Sequence, residues 1–257
     1  MKKENLILVT NDDGITAPGI RNLIEAVRPL GKVVVVAPDS PQSGKGHAIT
    51  LGSPLRLNQV DIFDGIEAWT CSGTPVDCVK LARDKILGGR PDICVSGINH
   101  GANHSINIIY SGTMSAAMEA AIEGIPSVGF SFLNFDYDAD FSIPRQVARE
   151  VTQKMLETTL PPHSLFNVNI PDLPAAEYKG IRLARQANAK WKEEFDERRD
   201  PNGKKYYWLT GEFSNQDFGS DTDVWALENG YTSLVPVQFD LTDYRLKEKL
   251  QNEWQFQ

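Results

Sequence analysis

Residues 33–37, Val-Val-Val-Val-Ala, are apolar at every position. A strand with one wet face alternates apolar and polar residues. A strand without polar positions is covered on both faces, as in a parallel sheet. Compact apolar runs recur at 6–10, 92–96, 127–131 and 164–170, and helix patterns lie between them. Ile20, Leu23, Ile24 and Val27 fall at i, i+3, i+4 and i+7, with Pro18 near the start and Pro29 at the close. Thr74-Pro75-Val76-Asp77 reads as a helix start, with a capping Thr, Pro at the first helical position and Asp completing a capping box. Met114, Ala117, Met118, Ala121 and Ile122 mark another helix face, and Val147, Val151 and Met155 a further one. Alternating strands and helices predict right-handed βαβ crossovers and an α/β sandwich. Such sheets bind ligands beyond the carboxyl ends of their strands.

Composition narrows the possibilities. The 257 residues carry 26 Lys+Arg against 34 Asp+Glu, a net charge of −8. That sign excludes a binder of nucleic-acid duplexes held by a broad basic surface. With 41% hydrophobic and 23% charged residues the chain is neither disordered nor membrane-embedded. Its longest aliphatic run, 33–36, is far too short to span a bilayer. Met1-Lys2-Lys3 opens like a signal peptide, but the apolar stretch after it meets Asn11-Asp12-Asp13 too soon to form one. Cys71, Cys78 and Cys94 are odd in number and form no CxxC pair, so they read as reduced thiols of a cytoplasmic protein.

The length suits one domain, 1–257, with an α/β core at 1–175 and an extension at 176–257. In the extension, 180–186 and 204–210 read as two strands of a long hairpin. The charged, aromatic stretch 191–199 lies between them, followed by a turn signal at Asn202-Gly203. A hairpin with so little core needs a partner surface.

Four segments could carry chemistry. Asn11-Asp12-Asp13-Gly14 follows the first strand. Adjacent carboxylates there ask for a counter-charge, and hard oxygen ligands favour Mg²⁺, Mn²⁺ or Ca²⁺ over zinc; the alternative is a solvated Asx turn. Residues 37–47 follow the second strand. There Ser43 could ligate through its hydroxyl, Gly44 and Gly46 could let N–H groups approach an anion, and Lys45 and His47 could contact phosphate or donate a proton. The segment is not a Walker A loop, since the first Gly is missing and Gly46 follows Lys45, and by itself it reads as surface loop. Residues 96–103 follow the third strand, with Asn99 as a neutral ligand or phosphate donor, Asn103 as a substrate contact or loop brace, and His100 and His104 as bystanders. Ser111-Gly112-Thr113 opens a helix, a natural phosphate cradle or a plain N-cap. Each signal alone is modest, but three follow consecutive predicted strands and the fourth opens the next helix, so all converge at one sheet edge.

With these residues in place, the chain resembles the survival protein E (SurE) family of 5′-nucleotidases, also described as acid phosphatases. The matching stretches include LVTNDDGI (8–15), VVAPDSPQSGKGHAIT (35–50), SGTPVDCVKLA (72–82), VSGINHGAN (95–103), YSGTMSAAMEA (110–120) and GIPSVGFS (124–131), with later ones to GYTSLVPVQFDLT (230–242). The resemblance implies a divalent-metal-dependent phosphohydrolase of nucleoside 5′- and 3′-monophosphates, in some members also of polyphosphate. It implies metal ligation by Asp12, Asp13, Ser43 and Asn99, and catalytic roles for Asp12, Asp13 and Asn99. Substrate contacts fall on Asn11, Ser43, Gly44, His47, Asn103, Ser111, Gly112 and Thr113. It also implies a three-layer α/β/α Rossmann-like core and a homodimer or homotetramer that exchanges C-terminal segments. Residues 187–199 and the acidic loop 133–141 lack close motif identity, so nothing about specificity carries over there.

Two nucleophiles stay open: metal-bound water with a carboxylate as base, or Asp12 through an aspartyl-phosphate. A haloacid-dehalogenase-type phosphatase fails because Asn11 stands where its nucleophilic Asp is needed. A receiver-like module fails because Asn99 stands where its phospho-accepting Asp follows strand three. A nucleotide sensor that has lost the chemistry is the remaining rival.

Overall fold

The computed structural model describes residues 4–254; Met1-Lys2-Lys3 lies outside the described residues. The chain runs β1 (Leu6–Thr10), α1 (Pro18–Val27), β2 (Lys32–Pro38), β3 (Leu57–Val60), β4 (Glu67–Cys71), α2 (Pro75–Leu81), β5 (Ile93–His100), α3 (Gly112–Ile122), β6 (Ser127–Phe132), α4 (Ser142–Glu157) and β7 (Leu165–Ile170). Then come β8 (Ile181–Leu183), β9 (Ala189–Arg199), β10 (Lys205–Asn215), α5 (Asp223–Glu228), β11 (Thr232–Val237) and α6 (Tyr244–Glu253). Nine strands form one sheet in the order β3-β4-β2-β1-β5-β6-β7-β11-β8. Only β3 against β4 and β11 against β7 pair antiparallel. The expected three-layer α/β/α sandwich is therefore present.

The apolar runs divide their side chains between two cores. Ile7, Val9, Val33, Val35, Ile93 and Val95 face the layer of α1 and α4. Leu8, Val34, Val36 and Cys94 face the layer of α2 and α3. Each of these side chains is almost wholly buried, and burial of one aliphatic chain contributes about 1.5–3 kcal/mol. Ile20, Leu23, Ile24 and Val27 of α1 are buried as their spacing predicts, and the Thr74–Asp77 capping box forms. Helix α3 departs from the expected stripe. Ile122 is exposed, while Ser115, Ala116, Glu119 and Ala120 are buried. Its small side chains let it sink between the sheet and α2, so burial runs almost round the helix.

The extension also differs from the sequence reading. Residues 181–183 are not a hairpin strand but an edge strand beside β11. The hairpin pairs Ala189–Arg199 with Lys205–Asn215 across the turn at 200–204, so the charged stretch 191–199 is itself a strand. Both hairpin faces meet solvent, so the strand shows no apolar alternation and its register comes from the turn and backbone ladder. Only its base is packed, with Ala189 and Phe213 against Ala187 and Val224. Phe195, Tyr207, Trp208 and Leu209 stand exposed near the tip. The three cysteines are free and buried. Among the described residues no helix is long and apolar enough to cross a membrane.

Candidate active site

Strands β2, β1 and β5 are neighbours at the centre of the sheet, so the loops leaving their carboxyl ends meet. Asn11 Nδ2 donates to the Gly14 carbonyl (2.9 Å) and closes the turn, and Gly14 supplies the φ of +93° that the turn needs. Asn11 Oδ1 is buried without a partner among the described residues. The turn is fastened to the next loop by Ile15 N–H on Pro38 O (3.0 Å) and Gln42 N–H on Asp12 O (2.7 Å).

Asp12 is 4% exposed. Its Oδ1 accepts a hydrogen bond from the Thr113 hydroxyl at the start of α3. A Cβ on Gly112 would lie 2.7 Å from the Asp12 Cβ and Oδ2, so only glycine lets the helix come this close. Asp13 Oδ2 accepts from the His100 N–H (3.2 Å). Burial, then the charge of Asp13, push the Asp12 carboxyl up to about 6 against the pull of its Thr113 hydrogen bonds. Burial also raises Asp13. Among the described residues no Lys, Arg or His forms an ion pair with either carboxylate.

Asn99 arrives through an irregularity. Between Ser96 and Asn99 the pairing of β5 with β6 slips, three steps on β5 matching two on β6, a bulge that re-aims the side chain beyond it. Gly97, at φ +125°, permits it, for a Cβ there would lie 2.3 Å from Phe130 O. Asn99 Nδ2 donates to Gly101 O (2.8 Å), and its Oδ1 lies 3.5 Å from Thr113 Oγ1. Asp12, Asn99, Gly112 and Thr113 thus converge, with Asp13 alongside.

The other expected residues sit differently. Asn103 is built into a buried network, its Nδ2 on Ser131 Oγ (2.9 Å) and its N–H on Asn169 Oδ1 (2.8 Å). It braces the loop, with one of its two amide N–H donors used on Ser131. Ser111 caps α3 by accepting from Met114 N–H (3.0 Å). Ser43 and Gly44 lie on an exposed stretch one and two residues beyond Gln42, and the Ser43 hydroxyl has no hydrogen-bond partner among the described residues. His47 Nε2 contacts Glu119 Oε2 at 2.9 Å. His100 and His104 pack on rings, His100 stacked on Tyr137 and His104 edge-on to Phe213.

The sequence reading missed Glu119 and Lys80. Lys80 Nζ donates to Glu119 Oε1. Burial raises the Glu119 carboxyl, but the hydrogen bonds from His47 and Lys80 outweigh it and leave it below its ordinary value. A lone Glu in the small, apolar run of α3 was the available signal. Among the described residues no three His, Cys, Asp or Glu side chains form a metal-binding group. A cation at this edge would be held by two carboxylates and neutral oxygens. The donor set fits a hard divalent ion, because the buried Asp12 and half-buried Asp13 carboxylates lack a counter-charge among the described residues and every candidate ligand is oxygen.

The profile of the family described as "Survival protein SurE" matches residues 7–193. The chain belongs to that family. It is 60% identical over 243 residues to the 5′-nucleotidase SurE of Christiangramia forsetii, covering 94% of each chain. It is 58% identical over 256 residues to that of Flavobacterium johnsoniae, covering 99% of this chain and 98% of the relative. The crystal structure of the SurE protein from Aquifex aeolicus superposes with a TM-score of 0.82 at 40% identity, covering 96% of this chain and 99% of that one. These relatives span the extension as well as the α/β core.

In the metal-free protein, the raised Asp12 pKa means that the folded state holds this proton more tightly than the unfolded state. Stability from this group is present below pH 3.8 and falls as pH rises to about 6. Asp12→Asn, which keeps an oxygen for Thr113, removes that loss. In chelator at pH 7.5 its melting temperature is expected about 2–4 °C above wild type. Added Mn²⁺ raises the wild-type value and leaves the variant nearly unmoved, both read by scanning fluorimetry.

Proposed function

We propose that this SurE-family chain is a divalent-cation-dependent 5′-nucleotidase that releases phosphate from nucleoside 5′-monophosphates. The names of its full-length relatives support the activity. The observation that carries the site is Asp12, a buried carboxylate with a second beside it, no basic partner among the described residues, and the first turn of α3 packed against it. Asp12, Asp13, Asn99 and Ser43 would hold the ion, Mg²⁺ or Mn²⁺ in function, with Ca²⁺ as a possible occupant. Bound there, it supplies Lewis-acid stabilisation of charge on the phosphoryl oxygens.

The protein's own groups orient the reaction. The N-terminal end of α3 presents its dipole to the phosphate. The Thr113 hydroxyl donates to Asp12, and Ser111 Oγ accepts from the Met114 N–H, so the cradle consists of backbone, chiefly the Gly112 N–H, and the proton that the Ser111 hydroxyl keeps. A well-placed donor of this kind contributes roughly 3 kcal/mol to a transition state. A carboxylate of the Asp12–Asp13 pair takes the proton from attacking water. Glu119 holds Nε2 of His47, and His47 is assigned no step in the chemistry. Asn103 acts as a loop brace. The same cradle serves 3′-monophosphates and the terminal residue of polyphosphate, because it grips the phosphoryl group rather than the sugar.

The chain acts as a homodimer or homotetramer, the apolar hairpin tip meeting another copy. Its buried, unpaired thiols suit a cytoplasmic setting.

Multiple-turnover phosphate release from a nucleoside 5′-monophosphate panel is the direct test. Turnover is expected with Mn²⁺ or Mg²⁺ and none with chelator, and Gly112→Ala should lower kcat/KM about 100-fold by displacing Asp12. No turnover with any metal by a folded protein would move the assignment to a nucleotide sensor. Rapid quench with radiolabelled substrate should leave the protein unlabelled, whereas a stable label on Asp12 would establish the aspartyl-phosphate route instead. Light scattering should give two or four times 28.5 kDa, with Trp208→Asp shifting the mass toward one chain.

A further inference from the structure

Helix α3 meets the site at two places. Its first turn touches Asp12; two turns later Glu119 touches the loop that carries Ser43. Glu119 is 3% exposed, and its helix neighbours Ala116 and Ala120 are wholly buried. A carboxylate this deep is costly unless paired. Its two oxygens are taken by Lys80 from α2 and by Nε2 of His47 from the loop. Both partners reach solvent, with side chains 45% and 31% exposed. The buried group is the fixed point, and the surface groups are tied to it.

The loop is fastened at each end without Glu119. Gln42 N–H holds Asp12 O at the start. Thr50 donates to the Asp77 carboxylate (2.6 Å), and the Thr74 hydroxyl donates to Ala48 O (2.7 Å) at the far end. Between these ends and among the described residues, the Lys45 side chain reaches only Gln42 of the same loop, and the Ser43 hydroxyl has no partner. Among the described residues the His47–Glu119 bond is the single side-chain bond from residues 43–47 to a helix.

We propose that Glu119 is a positioning residue: acting through His47, it fixes residues 43–47 against α3 and thereby presents Ser43 to the Asp12–Asn99 site. Lys80 keeps the carboxylate charged for that task. The inference rests on the reading of Ser43 as a cation ligand, and two separate readouts divide the anchor from that reading.

Lys45 lies in the anchored stretch, so tryptic cleavage after it reports how often the loop opens, and Lys204 in the hairpin turn is an internal control. Glu119→Gln and His47→Ala are compared with their double variant, in metal-free protein. His47 is on the surface loop, so its variant folds even if the buried Gln costs stability. Cleavage at Lys45 is expected to speed by about fivefold or more in either single variant, with the double no faster and Lys204 unchanged. Mn²⁺ alone, titrated calorimetrically, should bind about tenfold more weakly in each, again without a further loss in the double. Unchanged cleavage at Lys45 in both single variants overturns the proposal. So does acceleration at both sites in Glu119→Gln with none in His47→Ala, since Glu119 then serves only the core. Faster cleavage at Lys45 without a change in Mn²⁺ binding supports the anchor and overturns Ser43 as a ligand.

Discussion

Two neighbouring carboxylates at the end of a buried strand, without a basic side chain among the described residues to neutralise them, set the terms for the rest of this structure. Left alone, Asp12 and Asp13 repel each other and lose hydration. The fold concentrates partial positive charge around them: the Thr113 hydroxyl and the N-terminal end of α3 at Asp12, and the His100 N–H at Asp13. Dipoles of this kind reduce the cost of the pair without cancelling it. The remaining deficit is the physical ground on which a divalent cation is proposed for this edge. Several glycines follow from the same need. Gly112 lets the helix end reach Asp12, Gly97 allows the bulge that turns Asn99 inward, and Gly14 closes the turn behind both acids.

The sandwich was legible because its signals are statements about solvent. Runs such as 33–37 admit no wet face, and α1 and the Thr74 capping box have patterns that local physics completes. The candidate edge was legible through topology: loops after adjacent parallel strands share one rim. What was lost depended on tertiary context. Glu119 looks like a solvated helix residue until the packing of α3 is known, and then it proves to be a buried charge held by two side chains. Asn103 carries the same amide as Asn99, but only the network of Ser131, Asn167 and Asn169 marks it as a brace. The hairpin was shifted because a strand wet on both sides carries no period of two, and its many charges resemble those of a connecting loop.

Helix α3 gathers much of this into one element. Its small residues let it lie deep, its first turn supports the acids, and its single buried carboxylate holds the neighbouring loop. A rigid helix is a better frame for such groups than any loop, because its rise per residue fixes their separation.

The strand order carries a consequence for how the molecule comes into being. β1 pairs with β5 across more than eighty positions of chain, as in the bond from Leu6 N–H to the Asp92 carboxylate. No short fragment from the beginning of the chain can hold the acids in their working geometry, and the entropy of closing that long loop must be overcome first. Yet every group gathered around the acids, out to Glu119, precedes the hairpin in sequence. During synthesis the central strands and α3 leave the ribosome before the hairpin, so every residue of the candidate site is available before the segment proposed to meet another copy.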